Sequence, residues 1–367
     1  CIRDRSLAVD TTSTTDAAVS STTSPEPTTT TSTTTSTTTS TTTTTLPPVP
    51  VNVLVSGEVW SQKGIVSAAA NSASGLDFDP MFADIAPVVS AADLALCHFE
   101  TPVSPVELVT ALSTAGYDRC STASEHVFDG GVEAMNAMAI AFDNNGLAQS
   151  GYARTPDEMK PILMDVNGLR VAHLAYTLRY DTPVPAGEPW RSALIDVPRI
   201  IADATAARSL GAEMVILSLH WGNADSALPT AQQRTWADQI TKSGMVDLIV
   251  GTHSHVLQPI EQVNGVWVAY SLGNSLTYMP TNTKWSKYTQ DGALATFSVT
   301  RSSGGRVAVG APVVRPTWVD KDNGCIVRDV LTVLAHPEAY PAATVKGATA
   351  SLKRTTQILG TQLLAAN

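Results

Sequence analysis

The sequence predicts an α/β fold with a largely parallel sheet core, preceded by a long segment that cannot fold by itself. Three observations carry this. Short β-branched runs alternate with stretches bounded by helix start and stop residues. The apolar runs are only a few residues long, which suits buried strands rather than buried helices. Residues 1–50 stand apart, because between Thr28 and Thr45 there is nothing but Thr and Ser.

Val51-Asn52-Val53-Leu54-Val55 opens the folded region as a buried strand and ends in Ser56-Gly57-Glu58. A helical stretch carrying Ile85, Val88 and Val89 follows. Leu94-Ala95-Leu96-Cys97 is the next strand and ends in His98-Phe99-Glu100. A helix from Val106 to Ala115, stopped by Gly116, leads to an extended segment, Tyr117 to Ala123, which ends in Ser124-Glu125-His126. Pro198 opens a helix that Gly211 stops. Met214 to Leu219 is a strand ending in His220-Trp221-Gly222. Pro229 opens a helix that runs to Gly244. Asp247 to Gly251 is a strand ending in Thr252-His253-Ser254-His255. Val266–Tyr270 and Ala293–Val299 read as strands with hairpin-type connections, so the sheet is mixed. Gly304-Gly305 reads as a hairpin turn feeding a strand from Val307 to Val314. Ala342 to Leu364 reads as a helix with Leu352, Ile358, Leu359 and Leu363 on one stripe. The expected division is 1–50 as anchor and stalk, 51–320 as the folded domain, and 321–367 as a C-terminal extension with a helix.

Composition excludes several classes. Of 367 residues, 43% are hydrophobic, enough for a sizeable core. The net charge of −10, with no basic run, argues against general nucleic-acid binding. No apolar stretch is long enough for a membrane-spanning helix. There is no P-loop, and no Gly-x-Ser-x-Gly elbow for a serine hydrolase.

The Thr/Ser tract cannot repay its conformational entropy by burial, so it is expected to be disordered. With Pro25, Pro27, Pro47, Pro48 and Pro50 around it, it reads as an extracellular stalk or a plain linker. About 40 such residues reach on the order of 100 Å when extended. Cys1 followed directly by this tether resembles a mature bacterial lipoprotein. That resemblance implies a lipid on Cys1 and a location on the extracellular side of the cell membrane. Cys97 and Cys120 lie in two consecutive apolar segments; a bridge and a pair of buried thiols both remain open. Neither is placed as a nucleophile, and the absence of CxxC argues against a zinc knuckle.

One pattern recurs at the strand ends. Glu58, His98 with Glu100, Glu125 with His126, His220, and His253 with His255 each follow an apolar run. In open α/β sheets the ligand site lies beyond the carboxyl ends of the strands. One His at such a place is an ordinary structural residue, but five ends converging point to a crevice built for a metal. His253 and His255 are two apart, so in an extended segment both rings face one side. Imidazole with carboxylate suits zinc, manganese or iron.

The motifs also carry a family resemblance. Gly57-Glu58, Phe99-Glu100-Thr101-Pro102, Glu125-His126-Val127-Phe128-Asp129, His220-Trp221-Gly222, the run from Gly251 to Glu261, and Tyr270-Ser271-Leu272-Gly273-Asn274 occur in that order. The series resembles the CapA family of bacterial capsule-synthesis (poly-γ-glutamate) proteins, from Val51 to Val299 and most specifically from Val215 to Asn274. The resemblance implies a fold similar to the calcineurin-like metallophosphoesterases, a two-sheet β-sandwich flanked by helices. It implies one or two divalent ions held by Glu58, His98, Glu125, His220, His253 and His255, which would polarise a phosphoryl or carbonyl oxygen and acidify water. His126 matches the position that would protonate a leaving group, and Asp129 could orient its ring. Glu100, Gln258 and Asn274 are the expected substrate contacts. Gly251 and Gly273 would let backbone approach a ligand, and Trp221 reads as a packing wall.

The departures lie at the metal site. The family's usual Gly-Asp, Asn-Leu-Glu and Asn-Asn-His are here Gly57-Glu58, His98-Phe99-Glu100 and Ser124-Glu125-His126. All three substitutes can bind a metal, but the longer Glu arm shifts an oxygen by more than metal sites tolerate without compensation. Two functions follow. One is a metal-dependent hydrolase or transferase acting on a phosphorylated or amide-linked cell-envelope polymer, with an anionic envelope polymer or a phosphorylated substrate as its partner. The other is a non-catalytic polymer-binding or export-accessory lipoprotein with a degenerate site. Either would work beside other capsule-synthesis membrane proteins.

Overall fold

A computed structural model describes residues 50–70, 75–281, 285–302 and 306–366. The expected lipid-bearing Cys1, nearly all of the stalk and the Gly304-Gly305 turn lie outside the described residues.

In chain order the strands are β1 (Val51–Val59), β2 (Leu94–Phe99), β3 (Arg119–Ser121), β4 (Ala148–Ser150), β5 (Leu163–Val166), β6 (Leu169–Thr177), β7 (Met214–His220), β8 (Leu248–Thr252), β9 (Ile260–Val263), β10 (Val266–Ala269), β11 (Asn274–Leu276), β12 (Asp291–Arg301), β13 (Val307–Val309), β14 (Val313–Asp320) and β15 (Ile326–Asp329). The helices are α1 (Lys63–Ala69), α2 (Asp79–Phe82), α3 (Ala86–Val89), α4 (Glu107–Ala115), α5 (Gly131–Asn144), α6 (Val197–Ser209), α7 (Ala231–Lys242), α8 (Val330–Ala335) and α9 (Ala342–Leu359).

These strands form two mixed sheets. The first runs β15-β14-β12-β1-β2-β3-β4, with β11 also on β1 and β13 also on β12. Its half from β1 to β4 is parallel, and β12, β14 and β15 are antiparallel. The second runs β5-β6-β7-β8-β10-β9, parallel from β6 to β10 with antiparallel edges. The expected alternation of strands and helices is therefore present, but it is split over two sheets.

Packing follows from which face each strand buries. Val53, Val55, Leu96, Phe297, Val171, Ile216, Leu248 and Val250 form the core between the sheets. The opposite face of the first sheet is covered by α1 to α5 through Ile65, Phe82, Leu108, Leu112 and Phe142. The opposite face of the second is covered by α6 and α7 through Ile200, Ala204, Ala237 and Ile240. Helix starts follow the sequence signals: Asp196 caps α6 just before Pro198, and Thr230 with Gln233 forms a capping box on α7 after Pro229.

Residues 321–366 build onto the first sheet. β15 pairs with β14, and α9 lies against it through Ala348, Ser351 and Leu359. Arg354 of α9 forms a two-pronged pair with Asp291 of β12, at 2.5 and 2.6 Å, both side chains buried. The helix stops at Leu359 rather than Leu364, because Gly360 turns out with φ 75°. Leu363 still reaches the inter-sheet core from beyond the helix.

Cys97 and Cys120 face each other in the β2–β3 register and form a disulfide, closing the alternative that the sequence left open. Cys325 is a buried free thiol, pushed up to about 11 by burial.

Candidate metal centre

The carboxyl ends of β1, β2 and β3 from one sheet meet those of β7 and β8 from the other. Register aligns the donors: Glu58 lies opposite His98 across β1–β2, and His220 lies opposite Thr252 across β7–β8. Glu58 also lies opposite Asn274 across β1–β11. That contact needs a glycine, since a Cβ on Gly57 would fall 2.2 Å from the Gly273 carbonyl oxygen.

The candidate ligand atoms form four overlapping groups, each lying within 4.8 Å: His98–Glu100–His220, Glu125–His220–His253, Glu58–Glu100–His255, and Glu100–Glu125–His126. Every expected ligand is included, so all five strand ends do converge. Glu100 belongs to three of the four groups. It is fully buried among imidazoles, with Oε2 3.2 Å from His98 Nε2 and Oε1 3.7 Å from His220 Nε2. Those surroundings suit a metal ligand, and Glu100, expected from sequence as a substrate contact, does not line the open cleft.

His253 and His255 do not leave β8 in an extended run. Their φ angles are 89° and 57°, a left-handed region that β-carbon-bearing residues adopt rarely and chiefly at functional sites. The rings therefore diverge. His253 Nδ1 lies 3.6 Å from Glu125 Oε1, and His255 Nδ1 lies 3.0 Å from Glu58 Oε2. The His253 backbone N–H donates to Glu58 Oε1, which ties the two sheets together at the site.

The surrounding polar groups hold the rings in place. Ser121 Oγ sits 2.7 Å from His98 Nδ1. Thr252 Oγ1 lies 3.3 Å from His220 Nδ1. Asn274 Nδ2 donates to the carbonyls of His255 and Thr289, and its Oδ1 lies 3.3 Å from His255 Nδ1. The Asn274 amide is thus spent on holding His255 and Thr289 in place. Gln258 is likewise occupied, donating to Ser226 O and accepting from Gln233 Nε2. Gly251 and Gly273 serve close packing of backbone on backbone: a Cβ would fall 2.0 Å from Tyr270 O and 2.4 Å from Asp291 O, respectively. Trp221 is a fully buried packing wall, its Nε1 donating to Tyr270 O.

The fit to a cation can be tested on the donors themselves. Both Glu100 oxygens, His220 Nε2 and His253 Nδ1 are buried without a hydrogen bond, while Glu58 Oε2 is met by His255 and Glu125 Oε2 by Arg179. Several approach one another at ion-pair distance. Buried carboxylates in that state are costly unless a cation joins them. Burial holds His98 and His253 down to about 4 and His220 well below the ordinary imidazole range, so all three offer lone pairs at neutral pH. Burial and the neighbouring Glu58 push Glu100 well above the carboxylate range. Glu58 goes the other way: burial opposes ionisation, but His255 overcomes it and holds the carboxyl well below the ordinary range. Two imidazole-rich clusters sharing buried carboxylates suit one or two divalent first-row ions.

A cleft of about 440 Å³ opens onto this cluster, lined in part by Trp60, Glu125, His126, Arg179, His255 and Trp285. Asp129 Oδ2 lies 2.7 Å from His126 Nδ1, and Trp60 stacks on His126 at 5.3 Å. Arg179, which the sequence reading passed over, pairs with Glu125 and with Asp181. It sits two residues past β6, a strand not assigned from sequence. Reading Leu169–Thr177 as a strand would have exposed Arg179 by the same strand-end rule.

Residues 52–279 match the family described as "Bacterial capsule synthesis protein PGA_cap". The chain is 28% identical over 267 residues to the PGA biosynthesis protein CapA of Bacillus subtilis (strain 168), covering 67% of this chain and 68% of that protein. It is 26% identical over 242 residues to the capsule biosynthesis protein CapA of Bacillus anthracis, covering 60% of this chain and 57% of that one. Among solved structures, the calcineurin-like phosphoesterase YfkN from Bacillus subtilis aligns with a TM-score of 0.46 at 13% identity, over 83% of this chain and 100% of that one. A 5′-nucleotidase precursor from Thermus thermophilus aligns with a TM-score of 0.45 at 14% identity, over 84% and 58%. A match covering well over half of the chain, with its strand-end His and Glu residues gathered at one site, means that this chain belongs to the PGA_cap family of bacterial capsule synthesis proteins.

Proposed function

We propose that this chain is a metal-dependent phosphoesterase-like hydrolase of capsule or envelope-polymer synthesis, acting on a phosphorylated substrate or an anionic polymer of the poly-γ-glutamate type. The observation that carries the reading is the set of buried, unbonded carboxylate and imidazole atoms beneath an open cleft. Glu58, Glu100, Glu125, His98, His220, His253 and His255 would hold the ion or ions. A divalent ion there supplies Lewis-acid polarisation and a more acidic water. Asp129 accepts from His126 Nδ1–H and so stabilises the imidazolium form, whose Nε2–H would be the proton passed to the leaving oxygen, leaving the ring neutral. Arg179 at the cleft orients an anionic group of the substrate. The Cys97–Cys120 bridge and the Thr/Ser tract support a place outside the cytoplasm.

The second reading is a non-catalytic polymer binder. It is favoured by the Arg179–Glu125 pair, which occupies one expected ligand with an internal cation. The deciding experiment is metal analysis of protein exposed to zinc, manganese and iron and then dialysed, with hydrolysis of bis(p-nitrophenyl) phosphate assayed alongside. Retained metal with chelator-sensitive hydrolysis supports the enzyme. No retained metal and no hydrolysis leaves the binder.

A further inference from the structure

A second cavity of about 340 Å³ lies at the edge where β4 and β6 approach, and it shares no lining residue with the metal-centre cleft. Arg119 lines it and is only 7% exposed. The other buried arginines each have an acid: Arg191 pairs with Glu188, Arg328 with Asp84 and Asp320, and Arg354 with Asp291. Arg119 has no carboxylate partner among the described residues. Its Nε donates to His173 Nδ1 at 3.2 Å and to Ser150 Oγ at 3.3 Å. Its Nη2 donates to Gln149 O at 2.8 Å and to Ser150 Oγ at 2.7 Å. Nη1 meets no protein acceptor among the described residues.

These partners are neutral. Accepting at Nδ1 makes Nε2 the protonated nitrogen of His173, which Ser218 Oγ meets at 2.8 Å. Burial holds that imidazole well below its ordinary range and brings Arg119 itself down to about 10. The other charged groups on the wall are already answered. Arg154 pairs with Asp143 and Glu158, Lys160 with Asp157, and Asp203 with Arg199 and the Tyr176 hydroxyl. A single unanswered guanidinium therefore remains beside a cavity whose walls include Met159, Ile162 and Leu174. A buried cation without a counter-charge is strongly disfavoured, and a guanidinium fork matches oxyanions. The volume is that of a small-molecule site.

We propose that this cavity is a second ligand site, taking a small organic oxyanion whose charged end meets Arg119 and whose apolar body lies against Met159, Ile162 and Leu174. Carboxylates and phosphate monoesters share that chemistry. The test is calorimetric titration of full-length, chelator-treated protein with benzoate, phenyl phosphate and inorganic phosphate. At least one organic anion should saturate the protein, and the stronger of the two identifies the source. Arg119→Met should weaken binding by roughly tenfold or more, the cost of a lost charged hydrogen bond. Ile162→Asp, a change at a 58% exposed position that leaves the core intact, should weaken it through like-charge repulsion. His253→Ala, at the metal centre, should bind as wild type. The proposal is overturned if no organic anion saturates by about 10 mM, a weaker affinity than a built site would show. It is also overturned if Ile162→Asp or a folded Arg119→Met binds as wild type.

Discussion

Replacing Glu100 with Gln separates the two demands on the metal centre, because one change should act oppositely on metal-free stability and on metal binding. Glu100 is fully buried, and neither of its oxygens has a hydrogen bond. Without a cation, the ionised form bears an unpaired charge; Gln keeps the shape and removes it. The new amide could donate to His98 Nε2 or His220 Nε2, 3.2 and 3.7 Å from the carboxylate oxygens. An unsatisfied buried polar group costs about 1–3 kcal/mol, and more if charged, so metal-free Glu100→Gln should be more stable by about that much at pH 8. The pH profile follows from linkage. The folded-state pKa of Glu100 is raised above its ordinary 4.5 by burial and by Glu58. Its contribution is therefore fully present below that value and is lost as pH rises through the folded pKa. Glu58, held low, acts in the opposite sense, and because each carboxyl shifts the other, the difference between wild type and Glu100→Gln reads the pair. With metal the order reverses. Free metal at a thousand times its Kd stabilises wild type by about 4 kcal/mol, whereas the variant, short of a ligand in three groups, should gain far less. Urea denaturation at pH 5 to 8, with and without zinc or manganese, reads all of this. A metal-free Glu100→Gln that is destabilised at pH 8, together with a wild type unmoved by metal, would refute the reasoning.

Three further outcomes are expected. His253→Ala and His255→Ala should each lose most of the bound metal, while His336→Ala, at an exposed position, and His173→Ala, outside the ligand groups, should keep it; elemental analysis after dialysis reads the difference. Asp291→Ala strands the buried Arg354 and should cost about 3–5 kcal/mol in urea denaturation, much of it recovered by Asp291→Leu with Arg354→Met. Opening the Cys97–Cys120 bridge by double substitution with Ser should cost about 3 kcal/mol in the same assay, as expected for a loop of its length.

The sequence by itself determined the strands around the site. Val51–Val55, Leu94–Cys97, Met214–Leu219 and Leu248–Val250 are β-branched or apolar runs between clear stop signals, and each hands the chain to a His or Glu. Local patterning suffices there, because strand identity depends on neighbours a few residues away. It failed where the pattern is weak. The helix Gly131–Asn144 begins on a glycine and has no side-chain cap, and β6, with Arg179 beyond it, is interrupted by Arg170 and His173. Tertiary structure alone decided the rest. Splitting the parallel strands between two sheets brings Glu58 to His255, Glu125 to His253 and Glu100 between His98 and His220. Those pairings span up to nearly two hundred residues of chain, as between Glu58 and His255. The same packing made Asn274 and Gln258 supports rather than contacts, since each amide is consumed by loops that only the fold brings near. Donor types can be read along a chain. Which donors share an ion depends on distances of a few ångströms between sheets, and those are fixed by how the two faces pack.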